Sequence, residues 1–380
     1  MMKSTYDRDE ITTVALSAVV LPLNKPISDA KVFTGRQKPM TEVSFLFAEI
    51  TTANGFEGVG FSYSKRAGGA AQYAHAKEIA GTVIGEDPND IEKIYSKLLW
   101  AGASVGRTGV ATQAIAAVDV ALYDLKAKRA QLPLAKLLGS HRDSVQVYNT
   151  SGGFLHDSVE QITAAAERSL AAGIGGIKIK VGLPDSKEDL RRVAAVRDHI
   201  GDAAKLMVDA NQQWTRSNAM KIGRALGEFD LTWIEEPLDA YDCEGHARLT
   251  QALDTPISTG EMLVSVAEHR RLIDSRACDV IQPDADRIGG ITQFLKVMSL
   301  ADDAGLDLAP HFAMELHIHL AACYPTEPWV EHFDWLSPLF NEQLEISDGR
   351  MHVPDRLGLG ISLSDQARSW TTDTITITAD

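Results

Sequence analysis

The sequence predicts an α/β protein: a closed barrel of parallel strands behind an α+β module. Three observations lead there. A strand-then-helix rhythm starts near Ser144 and recurs seven or eight times. Before it the texture differs, with longer alternating runs and one long helical stretch. And 380 residues are too many for one small core, so two compact units are expected.

The elements follow in order. Residues 12–21 and 42–51 alternate apolar and polar side chains, as half-buried strands do. Residues 58–63 follow Asn54-Gly55, a tight-turn pair that joins antiparallel strands. Over 109–130, Val110, Ala114, Ile115, Val118, Ala121, Leu122 and Leu125 recur at helical spacing, and Pro133 closes the stretch. Residues 1–140 therefore read as the α+β module.

From 141 to 350 the short apolar runs are 145–148, 176–181, 205–208, 232–234, 257–258, 280–282 and 306–309, each followed by a polar, Ala- and Leu-rich helical stretch. That many units in one domain favour a closed barrel over an open sheet. The last segment, 351–380, ends in an alternating run at 371–378 that can pack back on the first module.

Composition excludes several classes of function. A formal net charge of −15 argues against nucleic acid and against an anionic membrane as partners. An anionic small molecule stays open, since a few local cations and a metal override the global field. Cys243, Cys278 and Cys323 form no CxxC pair and no disulfide framework, which fits a reducing compartment. The start, MMKSTYDRDE, carries charges of both signs and no secretory apolar core. The longest apolar stretch, 14–23, contains Pro22 and falls far short of the roughly 20 residues of a membrane helix. A cytoplasmic protein is expected.

The chemistry is signalled by position. At or just after successive strand ends stand Lys178 and Lys180, then Asp209, Glu235, Glu261, Asp284, His311 and Glu331. From Lys180 onward the intervals are 29, 26, 26, 23, 27 and 20 residues, about one strand-helix unit each. Barrel active sites gather side chains from the C-terminal ends of several strands, so these groups converge on one mouth.

Asp209, Glu235 and Glu261 come from three consecutive units, LMVDAN, TWIEEP and ISTGEM. Any one alone would be read as a helix cap. Three carboxylates together repel unless a cation joins them, and an all-oxygen set suits Mg²⁺, whereas zinc favours His or Cys. Lys178 and Lys180 point to one face of a strand. Two lysines and a nearby cation disfavour each other's charge, which predicts a lowered pKa and a general base. The bland alternative is a solvated surface strand. Asp284 lies one unit before His311, so adjacent strands can pair them, the carboxylate fixing the imidazole tautomer.

Two decoys are set aside. His317-Ile318-His319 has the HxH pattern of metal hydrolases but falls in a helical stretch without further histidine partners. Gly58-Val59-Gly60 lacks the third glycine of a dinucleotide loop.

This constellation resembles the mandelate racemase subgroup of the enolase superfamily. Lys178-x-Lys180 is similar to its base motif, VDAN, WIEEP and TGE to its three metal-ligand motifs, and Asp284 with His311 to its dyad. ALYDLKAKRAQLPLAKLLG resembles the end of its capping domain. DAKVFTGRQKP, GFSYSKRAGG, LLWAGASVGR, HRDSVQVYNTSGGF, EEPLDAYD and HFAMELHIHL extend the likeness over almost the whole chain, toward its acid-sugar dehydratases.

The resemblance implies a modified (β/α)7β TIM barrel under an α+β cap built from the N- and C-terminal segments. It implies Mg²⁺ on Asp209, Glu235 and Glu261, Lys180 as the base, and His311, as imidazolium, as the acid oriented by Asp284. Glu331, as a carboxylic acid, would hydrogen-bond the substrate carboxylate. Lys178 and Asn211, the latter taken to share a strand face with Asp209, would help bind substrate. Cap residues Asp29, Lys31, Lys65 and Arg66 would reach the far end of a diacid sugar; alone, a Lys-Arg pair in a Gly/Ser-rich loop reads as solvated. The expected activity is dehydration of a hexarate, in a homo-oligomer. A racemase or epimerase using the same Lys and His, and a non-catalytic sugar-acid binding protein, stand as alternatives.

Overall fold

The structure, a computed structural model, describes residues 8–379. Most of the MMKSTYDRDE start therefore lies outside the described residues. Two sheets organise the chain. The cap sheet has β1 (Ile11–Ile27), β2 (Met40–Thr52) and β3 (Glu57–Lys65) in antiparallel order. It is completed on the β1 side by the last strand of the chain, Thr371–Thr378, as the alternating tail led one to expect.

The second sheet is the barrel. Its parallel strands are β4 (Ser144–Asn149), β5 (Gly176–Lys180), β6 (Lys205–Asp209), β7 (Ile234–Glu235), β8 (Ile257–Thr259), β9 (Val280–Ile281) and β10 (Asp307–Leu308). β11 (Trp329–His332) then pairs in parallel with β4, giving eight. The intervening helices start where the local sequence supplies a cap. Ser158 and Gln161 form a capping box, and Asp185, Thr215, Asp242 and Ser265 each accept from a first-turn amide. Inside the barrel Tyr148, Met207, Trp233, Val280 and Ala309 pack with Trp329 into one layer. Trp233 meets Tyr148 edge-on at 5.2 Å between ring centroids.

The C-terminal segment divides. Residues 371–378 join the cap, but a hairpin of β12 (Ile346–Ser347) and β13 (Arg350–His352) lies against β4, so the chain just past residue 350 still belongs with the barrel. The reason is Met351, fully buried in the barrel-side core. Only the final strand, labelled β14 (Thr371–Thr378), returns to β1. Among the described residues no helix is long and apolar enough to cross a membrane.

The cap is seated by the helix Val110–Arg129, close to the predicted 109–130. It lies directly on β3 because Gly58 and Gly60 have no side chains. A Cβ at Gly60 would come within 2.2 Å of the Ala117 carbonyl oxygen and 2.3 Å of the Ala121 nitrogen. So Gly58-Val59-Gly60 is a packing motif, not a phosphate loop. Buried carboxylates tie the same helix to the barrel. Asp119 accepts from the Thr292 amide and hydroxyl, at 2.9 and 2.6 Å. Asp124 accepts from the Val59 and Leu359 amides, at 2.8 and 2.7 Å.

Overpacking of this kind typically costs about 1–3 kcal/mol. Gly60→Ala should therefore lower the urea midpoint clearly. Gly227→Ala, where an added Cβ meets nothing within 4 Å, should leave it close to wild type. Equal midpoints for the two variants would refute the close-approach argument.

Candidate active site

Parallel register builds the centre of the site. Lys180 pairs with Asp209 across β5 and β6, and Asp209 with Glu235 across β6 and β7. A Lys-Asp-Glu row therefore crosses three strand ends. Glu261 follows Gly260, whose φ of +133° and close approach to the Gln282 backbone, 3.2 Å from a virtual Cβ, only glycine adopts without strain. Asn211 is not on the strand face expected of it. β6 stops at Asp209, and Asn211 sits in a turn at φ 44°. From there its Nδ2 donates to Asp209 Oδ2 at 2.9 Å, and its amide to Oδ1 at 2.7 Å.

Lys178 is 1% exposed. Its Nζ donates to Glu235 Oε1 at 2.6 Å and lies 2.9 Å from Glu331 Oε1. Lys180 Nζ donates to Asp209 Oδ2. On the protein's own groups, without a cation, the balance at both lysines runs the other way from the expected lowering. Burial disfavours their charge, but Glu235 and Glu331 outweigh it at Lys178, and Asp209 at Lys180, so both lie above the ordinary lysine range. The ligand carboxylates themselves supply the counter-charge. Glu235 moves the other way: burial outweighs Lys178, Asp209, Glu331 and Glu261 add repulsion, and its carboxyl is pushed up. Trp233 Nε1 and Gln282 Nε2 hold its other oxygen, at 3.0 and 2.7 Å.

Glu331 also departs from expectation. Despite burial, Lys178 and then His311 and Lys180 hold it well below the usual carboxylate range, which opposes the neutral acid expected of it. It accepts from Thr150 Oγ1 at 2.5 Å and from the Phe312 amide at 3.1 Å.

His311 Nδ1 lies 2.9 Å from Asp284 Oδ2, as the one-unit spacing suggested. Sequence reasoning missed Tyr63. It comes down from the cap, its hydroxyl donating to Asp284 and lying 3.2 Å from His311 Nδ1. Nε2 faces Lys65 Nζ at 3.2 Å and Glu261 Oε2 at 3.3 Å. Burial, then Lys65, pushes His311 down to about 3 against the pull of Asp284, which opposes the imidazolium expected of it. Burial also pushes Lys65 down to about 8, against Glu261 and Glu331.

Lys178, Lys180, Asn211, Glu261, His311 and Glu331 open on one cavity of about 160 Å³, while Asp209, Glu235 and Asp284 lie behind its wall. The cap residues Asp29, Lys31, Lys65 and Arg66 line it too, as does Arg287, a cation that sequence reasoning also missed. Asp29 and Arg66 are engaged with each other at 2.9 Å, and Arg66 Nε donates to the Lys38 carbonyl. Asp29 also caps a short helix through the Lys31 and Val32 amides. The cap cations thus sit in a braced loop.

An Mg²⁺ ion fits the carboxylate set. Asp209, Glu235 and Glu261 offer hard oxygens in a buried mouth with excess negative charge. Beside them Asn211 Oδ1 and Glu236 Oε2 are buried without a hydrogen-bond partner, and burial followed by Glu261 pushes Glu236 well up. Among the described residues, the group whose ligand atoms all lie within 4.8 Å of one another is a different one, Asp284, Asp286 and His317. Its Asp284 is committed to His311 and Tyr63, and His317 Nε2 accepts from the Ala285 amide at 3.1 Å. His317 and His319 lie buried on the helix Met314–Ala321, and His319 Nε2 meets the Leu359 carbonyl at 3.1 Å.

A capped barrel with a lysine strand, three acidic strand ends and a His-Asp pair defines a class. Residues 12–139 match the mandelate racemase / muconate lactonizing enzyme N-terminal domain, and 161–367 the enolase C-terminal domain-like family. The chain belongs to the mandelate racemase subgroup of the enolase superfamily. Within it, the chain is 65% identical to L-talarate/galactarate dehydratase of Salmonella typhimurium, over 96% of this chain and 91% of that protein. A crystal structure of that enzyme with Mg and L-lyxarohydroxamate superposes with a TM-score of 0.98 at 63% identity, covering 100% of this chain and 97% of that one. L-talarate dehydratase of Polaromonas sp. JS666, complexed with Mg and L-glucarate, superposes at 0.96 with 64% identity, covering 98% and 100%.

Calorimetric titration of EDTA-stripped protein should reveal an Mg²⁺ site that Glu235→Gln and Asp209→Asn weaken by about 10-fold or more. Asp286→Asn should leave it intact. If Asp286→Asn removes binding while Glu235→Gln does not, the ion belongs to the Asp284–Asp286–His317 group.

Proposed function

We propose that this protein dehydrates the hexarates L-talarate and galactarate to 5-keto-4-deoxy-glucarate, with some interconversion of the two substrates. One observation carries the reading: Lys180 and His311 open on the same cavity as Glu261, on strand ends separated by β11 and β4 on one side and by β6 to β9 on the other. The likeness to two hexarate dehydratases supports the substrate class.

The α-proton of an acid sugar is very weakly acidic, because its loss puts a second negative charge on the carboxylate. Asp209, Glu235 and Glu261 would hold an Mg²⁺ ion, which when bound would supply positive charge there. Lys178, with its charge fixed by Glu235 and Glu331, is a second cation for the same carboxylate. Lys180 takes the α-proton and must be neutral to do so. Burial and Lys178 favour its neutral form; only carboxylates such as Asp209 oppose them. The base form therefore depends on Asp209 being committed elsewhere. His311, fixed by Asp284 and Tyr63, serves the departing β-hydroxyl. The enol left behind tautomerises to the keto acid.

Galactarate and L-talarate differ at one carbon beside a carboxylate, and the enediolate has lost that configuration, so one intermediate serves both. The second carboxylate needs cations away from the metal, and the cap offers Lys65 and Arg66 at the cavity wall, with Lys31 also lining it. A cytoplasmic homo-oligomer belongs to the same proposal. Three free, buried cysteines agree with a reducing compartment, and exposed Trp100 and Val105 offer a surface for self-association.

Proton NMR in D₂O checks the chemistry. Lys180→Ala should lose α-proton exchange and dehydration together, while His311→Asn should lose dehydration and keep part of the exchange. Galactarate should be preferred over galactonate in kcat/KM, and Arg66→Ala should erode that preference. A wild-type preference for galactonate would overturn the substrate assignment.

A further inference from the structure

Strand β3 of the cap ends inside the catalytic cavity. Tyr63 and Lys65 are two residues apart on it, so both side chains leave the same face. Both meet His311. Tyr63 and Asp284 occupy Nδ1, which leaves Nε2 as the nitrogen able to serve substrate. Lys65 Nζ stands 3.2 Å from that atom. Glu261 is 3.3 Å from it, but belongs to the predicted ligand set.

The hydrogen-bond inventory limits the protons here. An ammonium donates only, so a charged Lys65 requires a bare Nε2. A protonated Nε2 donating to Lys65 requires a neutral amine. In either of these charged arrangements the pair holds one acid proton, shared between Lys65 and His311. Lys65 has no ion-pair partner within 4.0 Å among the described residues. Its Nζ instead rests 3.9 Å from the centre of the Phe312 ring, with Phe333 at 5.7 Å. Aromatic faces hold a charge without a carboxylate that would tie it down.

We propose that the acid of the dehydration is the Lys65–His311 pair, with Lys65 the source of the proton that the departing hydroxyl takes. This rests on the dehydration reading above. In the step, the electron pair of the enediolate forms the new C=C bond and the Cβ–O bond breaks with its pair on oxygen. One proton travels from Lys65 Nζ to His311 Nε2 and on to that oxygen, which leaves as water. Lys65 becomes a neutral amine and, being only partly buried, regains its proton from solvent. Lys65 is thus drawn into the chemistry, beyond a role in holding the far carboxylate.

The test separates proton supply from charge. Lys65→Arg keeps the positive charge and the donors but does not release a proton at working pH; Lys65→Met removes both. Galactarate dehydration and α-proton exchange in D₂O are measured together, with Mg²⁺ present. Both variants should raise the ratio of exchange to dehydration by about 10²-fold, the usual scale of a lost general acid. In Lys65→Arg the loss should fall on kcat and spare KM. A Lys65→Arg protein with wild-type kcat, a loss confined to KM, or parallel loss of exchange and dehydration would each overturn the proposal, leaving Lys65 a binding or structural group. A wild-type protein that turns over no hexarate would remove the dehydration reading, and this proposal with it.

Discussion

The structure turns on the burial of Lys178. An ammonium with almost no solvent contact is very costly unless paired and hydrogen-bonded. Glu235 and Glu331 meet that requirement from opposite sides, and each must then be held in turn. Trp233 and Gln282 hold Glu235; Thr150 and the Phe312 amide hold Glu331. Trp233 also belongs to the barrel's inner layer. The packed floor and the charged mouth are therefore one construction, and the rotamers of the reacting groups are set by the core beneath them. Around this pair the carboxylates of Asp209, Glu235, Glu236, Glu261, Glu331 and Asp284 outnumber the cations Lys65, Lys178, Lys180 and Arg287. A divalent cation corrects that imbalance.

Much of this was legible because barrel geometry converts spacing into convergence. One functional group per strand-helix unit puts Lys180, Asp209, Glu235, Glu261, Asp284 and His311 at successive strand ends whatever the helices contain. The eighth strand was harder to see. Its run Trp329–His332 follows irregular chain, and only Glu331 betrayed it. Asn211 was misplaced because strand alternation was extended past the end of β6, where the backbone turns to positive φ. The lysine charges depend on two opposed sets of neighbours, only one of which was weighed in full. The two lysines were weighed against each other and against a cation, while the carboxylates nearest to them went uncounted.

Tyr63, Thr150, Glu236 and Arg287 left no periodic signal. Tyr63 reads as an ordinary aromatic of an alternating cap strand, and its role exists only because β3 docks over His311. Glu236 is the second acid of WIEEP. It is swung out of line with Glu235 by a φ of 40° and buried with one oxygen unpartnered. Such roles come from contacts between elements far apart in the chain, and a single sequence encodes those contacts only through the whole fold.

The cap and the chemistry are consequently hard to separate. Helix Val110–Arg129 can lie on β3 because Gly58 and Gly60 admit it, and Asp119 and Asp124 fix that helix to the barrel through Thr292 and Leu359. The seating of β3 then sets the distance from Tyr63 and Lys65 to His311. The next residue, Arg66, has a φ of 64° that turns the chain away from the strand, toward Asp29 and the Lys38 carbonyl. In the proposed function, recognition of a distal carboxylate and control of the histidine would thus fall to adjacent residues of one strand end. A substrate that pulls on Arg66 pulls on the backbone that carries Lys65. On these proposals, selectivity for a diacid and delivery of the leaving-group proton would be coupled through a single peptide bond.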